Sequence, residues 1–353
     1  MPMTIGADME RKATRKVMVG NVPIGGGESV SVQSMTNTRT SDVAATVEQI
    51  GRLEQAGCDI IRVAVPDQES ARAISRIKAQ ISIPLVADIH FDYRLALAAL
   101  ESGADKLRIN PGNIGSDVGV EAVARAAKER GVPIRVGVNA GSIDRKRYGA
   151  PTAEALVESG LDEVRVLEGM GFEDIVISLK AFDVPTMIRA YKLVSERCDY
   201  PLHLGVTEAG PAWEGTIRSA VGIGSLLAEG IGDTIRVSLT GDPVEEVKVG
   251  KEILNSLGLH QKPFTLVSCP TCGRCEIDLS AIADEVRRRL EANPPTRPIT
   301  VAVMGCVVNG PGEASLADVG IAGGKGSAML FARGEIVRKV DEGSLVDELM
   351  REI

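Results

Sequence analysis

Eight short runs rich in β-branched residues recur along the first two thirds of this chain, mostly separated by amphipathic helical patterns. They cover residues 30–35, 60–64, 84–88, 106–110, 134–139, 175–180, 202–207 and 234–239. Alternating strands and helices predict a parallel sheet, and eight such units in about 240 residues are typical of a TIM barrel. An open doubly wound sheet is the alternative, although no glycine-rich dinucleotide fingerprint follows the first run. We therefore predict an α/β fold built on a TIM (β/α)8 barrel.

A polar segment at residues 258–263 follows the last predicted barrel helix and indicates a domain boundary. We predict a TIM barrel over residues 1–262, followed by a small α/β domain over residues 263–353. Within the second domain we expect strands at 264–267, 299–304, 318–322 and 328–340, and helices at 279–292 and 346–353. Four of the six cysteines of the chain fall in this part.

Polar residues cluster at the ends of the predicted barrel strands. The active site of a TIM barrel lies at the carboxyl ends of its strands, and residues i and i+2 of a strand point to the same side. The residues at these positions are Arg62, Asp88, His90, Arg108, Asn110, Arg135, Asn139, Lys180, Thr207, Glu208, Arg236 and Ser238. Four arginines and a lysine at one mouth would repel each other unless they shared an anion, and guanidinium groups bind phosphate oxygens bidentately. We predict a site for a phosphorylated small molecule; for any single arginine, an ion pair with Asp88 or Glu208 is the alternative.

The cysteines of the second domain form a pattern that is typical of a metal or iron–sulfur site. Cys269 and Cys272 lie in one Gly/Pro-punctuated stretch, and Cys306 lies in a second one that contains Glu313. Iron–sulfur clusters are held by thiolates, and only three of them would leave one iron open for chemistry. Zinc is the alternative, but it usually takes two CxxC pairs or a CxxC pair with histidines. Cys275 is a further candidate ligand that would close the site.

Composition excludes several classes of protein. A net charge of −8 and an aromatic content of 3% argue against a nucleic-acid-binding surface. Residues 1–20 have no apolar run of a secretory signal, and no stretch is long and apolar enough to predict a membrane span. Six cysteines without a signal sequence suggest reduced thiols, so we expect a cytoplasmic protein with no membrane partner.

The chain resembles the 4-hydroxy-3-methylbut-2-enyl diphosphate synthase family, in its shorter two-domain bacterial form. The resemblance covers nearly the whole chain. The most specific strings are SMTNT at 34–38, DIHF at 88–91, RINPGN at 108–113, HLGVTEAG at 203–210, SCPTC at 268–272 and GCVVNGPGE at 305–313.

This resemblance implies a substrate and a reaction. The substrate would be 2-C-methyl-D-erythritol 2,4-cyclodiphosphate, opened by two electrons with loss of water in the methylerythritol phosphate route to isoprenoids. The resemblance further implies a [4Fe-4S] cluster on Cys269, Cys272, Cys306 and Glu313, with Glu313 displaced by substrate. Flavodoxin or ferredoxin would supply electrons to a head-to-tail homodimer.

Three further residues have candidate roles at the site, and two alternative functions stay open. His90 and Glu208 are candidate catalytic residues, and Asn309 is a candidate substrate contact near the cluster. One rival is an iron–sulfur or zinc redox-sensing protein whose barrel binds a phosphorylated metabolite. Another is a barrel enzyme such as a pterin synthase with a structural zinc ion.

Overall fold

The structure is a computed structural model of the 353-residue chain, and it describes residues 10–110, 114, 117–306, 308, 312 and 316–353. The chain divides into two compact units; one ends at His260 and the other begins at Gln261. Within the described ranges, no helix combines the length and the apolar character that crossing a bilayer requires.

The first unit contains a short hairpin and then an eight-stranded parallel barrel. Its strands are β1 (Val17–Val19), β2 (Val22–Ile24), β3 (Ser31–Met35), β4 (Ile60–Ala64), β5 (Leu85–Asp88), β6 (Lys106–Ile109), β7 (Ile134–Asn139), β8 (Ile175–Lys180), β9 (His203–Leu204) and β10 (Thr234–Ile235). The barrel strands follow the order β8-β7-β6-β5-β4-β3-β10-β9, and a parallel bridge between Ile177 and Leu202 joins the two ends. The predicted TIM barrel is therefore confirmed.

Helices connect successive barrel strands. They are α1 (Val43–Gln55), α2 (Gln68–Lys78), α3 (Tyr93–Glu101), α4 (Asp117–Arg130), α5 (Arg145–Tyr148), α6 (Ala153–Gly169), α7 (Val184–Arg197), α8 (Ala212–Ala228) and α9 (Pro243–Ser256). Several begin at an aspartate that accepts a hydrogen bond from a first-turn amide, as Asp67 does from Ser70 and Asp183 from Thr186. Such caps satisfy amides that have no partner within the helix.

The barrel core has two parts. Ile61 of β4 belongs to the large apolar cluster between strands and helices, whereas its neighbour Ile60 packs with Val86 of β5 on the inner side. Val19 and Ile24 of the β1–β2 hairpin complete this inner cluster. The hairpin, which we did not predict from the sequence, therefore supplies an apolar plug near the start of the strands and leaves their far ends for the site.

The second unit is a five-stranded mixed sheet with helices. Its elements are β11 (Phe264–Ser268), α10 (Leu279–Ala292), β12 (Ile299–Met304), β13 (Val319–Gly324), β14 (Ser327–Ala332), β15 (Glu335–Asp341) and α11 (Leu345–Glu352). The order is β11-β12-β13-β14-β15, parallel as far as β13 and antiparallel beyond it. Val286 of α10 and Leu349 of α11 lie in one buried cluster with Val301 of β12.

One strand prediction for this unit is wrong. The sequence pattern predicted a single strand over 328–340, but the structure has the antiparallel pair β14 and β15. The turn between them places Arg333 at φ 52° and Gly334 at φ 83°. Two successive positive φ values are typical of a tight hairpin turn, which glycine favours because it has no Cβ.

Candidate active site

A polar cavity lies at the carboxyl ends of the barrel strands. The lining residues are Arg62, Asp88, His90, Arg108, Arg135, Asn139, Ser178, Lys180, Thr207, Arg236 and Ser238. Ten of these eleven are residues that the sequence analysis assigned to the site, and Ser178 lies two positions before Lys180 at the end of the same strand. Asn110 and Glu208 do not line the cavity, and Asn309 and Glu313 lie outside the described residues.

Strand register explains why residues so far apart in sequence meet here. Asp88 of β5 pairs with Arg108 of β6, and Arg108 pairs in turn with Arg135 of β7. On the next pair of strands, Asn139 is opposite Lys180. Residues in register on neighbouring parallel strands point to the same side of the sheet. The predicted mouth is thus formed by inward-pointing polar residues that the strand pairing places next to one another.

Asp88 is the acidic centre of the cavity. Its carboxylate lies 3.3 Å from Arg108, 3.5 Å from His90 and 3.8 Å from Arg62. Burial alone would raise the pKa of Asp88, but Arg62, the hydrogen bond from His90 and Arg108 together hold that pKa below its ordinary value. Asp88 therefore stays ionised and fixes the orientation of two arginines. The ion-pair alternative for these arginines is correct in part.

The cations of the cavity outnumber this carboxylate. Burial, reinforced by neighbouring cations, lowers the pKa of Arg62 to about 9 and holds the pKa values of Arg135 and Lys180 well below their ordinary range. Arg236 lies 3.7 Å from the buried Glu246 of α9. Because guanidinium groups remain protonated in proteins, such crowding favours binding of an anion that neutralises them.

Gly137 of β7 makes room for Arg108. A Cβ at this position would lie 2.6 Å from Nε of Arg108, whose guanidinium also donates to the Gly137 carbonyl at 3.2 Å. We predict that Gly137→Ala displaces Arg108 and weakens binding of inorganic pyrophosphate on the order of tenfold or more. Isothermal titration calorimetry measures the affinity for pyrophosphate. Gly141→Ala is the control, because nothing lies within 4 Å of a Cβ there; equal affinities for both variants would contradict the prediction.

Asn110 stands just outside the cavity and contacts a carboxyl group that the sequence analysis missed. Glu163 of α6 is buried and hydrogen bonds with Asn110, while Arg108, Asp162 and Arg147 are the charged groups that act on it. Burial raises the pKa of Glu163 to about 8. An amphipathic helix pattern does not single out a glutamate on the buried face, so the sequence contains no signal for it.

The pKa of Glu163 predicts a pH-dependent stability. Unfolded glutamate titrates near pH 4.3, so between about pH 5 and about pH 8 the folded state holds a proton that the unfolded state releases. The free energy of unfolding should therefore fall as pH rises through this window, by roughly 1 kcal/mol per pH unit, and Glu163→Gln should remove this loss. Urea titrations at several pH values measure the slope. Exposed Glu196→Gln is the control; identical slopes in wild type and Glu163→Gln would refute the assignment.

Glu208 follows Thr207 in the loop after β9 and has an unusual backbone. It is exposed and adopts φ 53°, a left-handed conformation that is uncommon for residues other than glycine. No ion pair joins it to an arginine of the described chain. A strained and unpaired carboxylate near the cavity edge is compatible with a functional role. His90, half exposed, lies within the cavity lining.

The cysteines lie on two loops that leave neighbouring strands of the second unit. Cys269 follows β11 and Cys306 follows β12, and these strands are parallel with Ser268 opposite Val303. The Gly305 amide donates to Cys269 Sγ at 3.2 Å. All six cysteines are free thiols. The loops thus leave the same end of the sheet.

Arg274 is a second residue that the sequence analysis missed. Its backbone amide and then its guanidinium hydrogen bond to Cys272 and lower the pKa of that thiol, and its charge also acts on Cys306. Cys275 instead donates to the Ile277 carbonyl at 3.2 Å and packs against the buried core of the unit. Across the described residues, no three metal-ligand side chains already lie together. The chemistry of the set, three reduced thiols with cationic and amide donors, nevertheless fits a thiolate-bound cluster.

Comparison with known proteins identifies the family of both units. Residues 14–251 match the model described as "GcpE TIM-barrel domain", and residues 265–353 match "GcpE protein C-terminal domain". A protein of Clostridium perfringens strain 13, named 4-hydroxy-3-methylbut-2-en-1-yl diphosphate synthase (flavodoxin), is 61% identical over 346 residues, which is 97% of this chain and 99% of that protein. A Geobacter sulfurreducens protein of the same name is 60% identical, over 96% of this chain and 97% of its own length. The redox-sensor alternative is not favoured.

Solved structures show the barrel fold in more distant proteins. Dihydropteroate synthase of Yersinia pestis superposes with a TM-score of 0.53 at 12% identity, over 69% of this chain and 98% of that one. The Stenotrophomonas maltophilia enzyme gives 0.52 at 15% identity, over 69% and 97%. At such identities the likeness concerns the fold alone. Since both units match their family models and relatives match over nearly the full length, the chain belongs to the GcpE family.

Proposed function

We propose that the protein is an oxidoreductase that converts 2-C-methyl-D-erythritol 2,4-cyclodiphosphate to (E)-4-hydroxy-3-methylbut-2-enyl diphosphate. The reaction adds two electrons, opens the ring at a C–O bond and releases water. It belongs to the methylerythritol phosphate route to isoprenoids. The name shared by relatives about 60% identical to this chain supports this activity.

The single observation that carries the proposal is the excess of buried cations in the barrel cavity. Arg62, Arg108 and Arg135 are at most 7% exposed, and Lys180 is 6% exposed. Asp88 is the carboxylate that lines the cavity with them. Two phosphate groups would neutralise the remaining charge and accept bidentate hydrogen bonds from the guanidinium groups. Asn139, Thr207 and Ser238 offer neutral donors for the hydroxyl and ester oxygens.

The electrons require a cofactor, for which the second unit has suitable ligands. We assign a [4Fe-4S] cluster to Cys269, Cys272 and Cys306, with Glu313 as the fourth ligand and Asn309 as a nearby substrate contact. When bound, such a cluster supplies single electrons and a Lewis-acidic iron. Arg274 stabilises the thiolate form of Cys272, which is the form that binds iron. His90 and Glu208 are the side chains we assign to proton transfer at the cavity.

The electron donor we propose is flavodoxin, the protein named in the relatives' printed name, with ferredoxin as the alternative. Both are single-electron carriers, which matches a cluster that is charged in two steps. Six free cysteines fit a reducing compartment, and a cytoplasmic location follows as part of the proposal.

A homodimer completes the proposal. Three large aromatic side chains near the carboxyl ends of the barrel strands are exposed: Phe91 at 77%, Phe182 at 62% and Trp213 at 75%. Exposed aromatic residues are typical of interfaces, and they are scarce in this chain. They would receive a second copy that covers the barrel mouth with its C-terminal domain.

The dimer has its own test. Replacing Phe182 and Trp213 together by aspartate should halve the mass that light scattering measures at micromolar concentration, because charge on both sides of the rim opposes association. Val166→Asp, on an exposed position of α6, should leave the mass unchanged. A wild-type protein that is monomeric under these conditions would refute the assembly.

Turnover tests the reaction. Full-length protein is reconstituted with iron and sulfide without oxygen, then mixed with reduced flavodoxin and the cyclodiphosphate. We expect the linear diphosphate by mass spectrometry, formed in proportion to the electrons supplied. Protein that holds a full complement of iron and sulfide but consumes no cyclodiphosphate would disprove the proposal. One zinc per chain without iron would support a structural metal instead.

A further inference from the structure

Beneath the cavity, the barrel interior contains further polar side chains nearer the start of the strands, and the proposed function uses only one of them, Arg135. We call Gln33, Lys106, Arg135, His203 and Thr234 the floor layer; each is at most 1% exposed. A barrel interior is normally filled by Val, Ile and Leu. Here two cations, an imidazole, an amide and a hydroxyl take their place.

Strand geometry places these side chains inside the barrel. Lys106 precedes the cavity residue Arg108 by two positions, and Thr234 precedes Arg236 by two. His203 is opposite Thr234 in the parallel pairing of β9 with β10, so the two side chains lie on the same face of the sheet. Arg135 itself reaches the cavity lining. These residues therefore lie on the inner face, nearer the start of their strands than the mouth.

Gln33 also points into the barrel. It lies two positions before Met35, whose sulfur accepts a hydrogen bond from Arg62 Nε at 3.1 Å. Since Arg62 lines the cavity, Met35 points inward, and Gln33 points inward with it. The floor layer thus draws on five different strands of the barrel.

None of the polar side-chain atoms of the floor layer has a hydrogen-bond partner among the described residues. These atoms are Gln33 Oε1 and Nε2, Lys106 Nζ, Arg135 Nε, Nη1 and Nη2, His203 Nδ1 and Nε2, and Thr234 Oγ1. His203 is fully buried, yet neither of its ring nitrogens has such a partner. Buried polar groups are almost always hydrogen bonded, and an unpaired one costs about 1–3 kcal/mol. So many together indicate a bound species.

The charge of the floor layer decides what that species is. The charged groups that act on Lys106 are Arg135 and Arg62, both cations. Those that act most strongly on His203 are also cations, led by Arg135 and Lys180. Asp88 acts on Arg135, but it is already shared by Arg62, Arg108 and His90. Water would satisfy hydrogen bonds but leave the charge uncompensated.

We propose that the floor layer is a second anion site that binds one small inorganic anion of halide size, held by Lys106, Arg135 and an N–H of His203. The Gln33 amide and the Thr234 hydroxyl complete the ring of donors. A single compact anion suits a fully enclosed position, whereas phosphate groups suit the open cavity above it. The site does not depend on the identity of the substrate, so it goes beyond the proposed function.

Anomalous diffraction tests the site. Full-length protein is crystallised with bromide in place of chloride and with inorganic pyrophosphate to fill the cavity above. We expect an anomalous bromine peak at hydrogen-bonding distance from Lys106 Nζ and the Arg135 guanidinium. Lys106→Met should remove this peak and keep the pyrophosphate density, while Lys146→Met, at an exposed position, should keep both. Bromine peaks confined to the cavity or the surface, with only water in the floor layer, would overturn the proposal.

Solution binding provides a second measurement in case Lys106→Met does not fold. Bromide is titrated by calorimetry into chloride-free wild-type protein that is already saturated with pyrophosphate. We expect one bromide per chain; no binding would overturn the site. Pyrophosphate affinity is read separately, so a protein that binds pyrophosphate but no bromide would contradict the floor site alone. Failure to bind pyrophosphate would count against the proposed function instead.

Discussion

Cys306→Ser is expected to abolish cluster assembly and reductive turnover while leaving anion binding in the barrel intact. Cys306 supplies the thiolate on the β12 loop, and the other two assigned cysteines follow β11. A serine hydroxyl is a poor substitute because cluster iron prefers thiolate. Iron and sulfide content and the visible absorbance of the reconstituted protein measure cluster assembly, and an activity assay measures reductive turnover. Pyrophosphate titration measures anion binding in the barrel.

Cys275→Ser is the matched control for this experiment. The Cys275 thiol donates to the Ile277 carbonyl and packs against the core, and a hydroxyl can keep that hydrogen bond. We therefore expect full iron content and near-normal activity from this variant. A Cys275→Ser protein that loses its cluster while Cys306→Ser retains one would show that the ligand set is wrong and that Cys275 closes the site.

The sequence predicted the barrel and its mouth because both follow from short-range patterns. Strand β7, for example, begins and ends at the predicted residues, 134 and 139. Arg108 and Arg135 each lie on the inner face of a strand, as strand alternation predicts, and the pairing of β6 with β7 places them side by side.

What the sequence could not predict depends on long-range packing. The β1–β2 hairpin plugs the barrel through contacts of Val19 and Ile24 with Ile60, which lies far along the chain. Lys106 is the first residue of β6, whereas the site residues were predicted from the carboxyl ends of the strands. Glu163 is hidden because its contact with Asn110 joins residues that are far apart in the sequence. Such partners become visible only when distant segments are placed in space.

The arginines of the mouth are not interchangeable. Arg62 and Arg108 share the carboxylate of Asp88, whereas Arg135 has no hydrogen-bond partner among the described residues. Arg62 and Arg108 are held in place before an anion arrives, and such preorganisation lowers the entropic cost of binding. Arg108 adds a hydrogen bond to Gly137, so it is the most firmly positioned of the three.

Arg108→Met is therefore expected to cause the largest loss of substrate binding among single changes in the barrel. It removes the guanidinium of a residue that is 7% exposed and leaves Asp88 with one fewer cation. Truncating one partner of a buried charge pair costs about 2–5 kcal/mol, so we expect pyrophosphate affinity to fall by roughly 30-fold to more than 1000-fold. The apparent KM for the cyclodiphosphate should rise as well.

Two further observations make this result specific. Iron content and the cluster absorbance should be unchanged, because Arg108 belongs to the barrel unit and the assigned cysteines belong to the other. Arg145→Met, in the exposed charge run of α5, removes the same charge without touching the cavity and should bind pyrophosphate as wild type does. Equal affinities for both variants would mean that net charge alone attracts the anion, and the assignment of the mouth as the diphosphate site would be wrong.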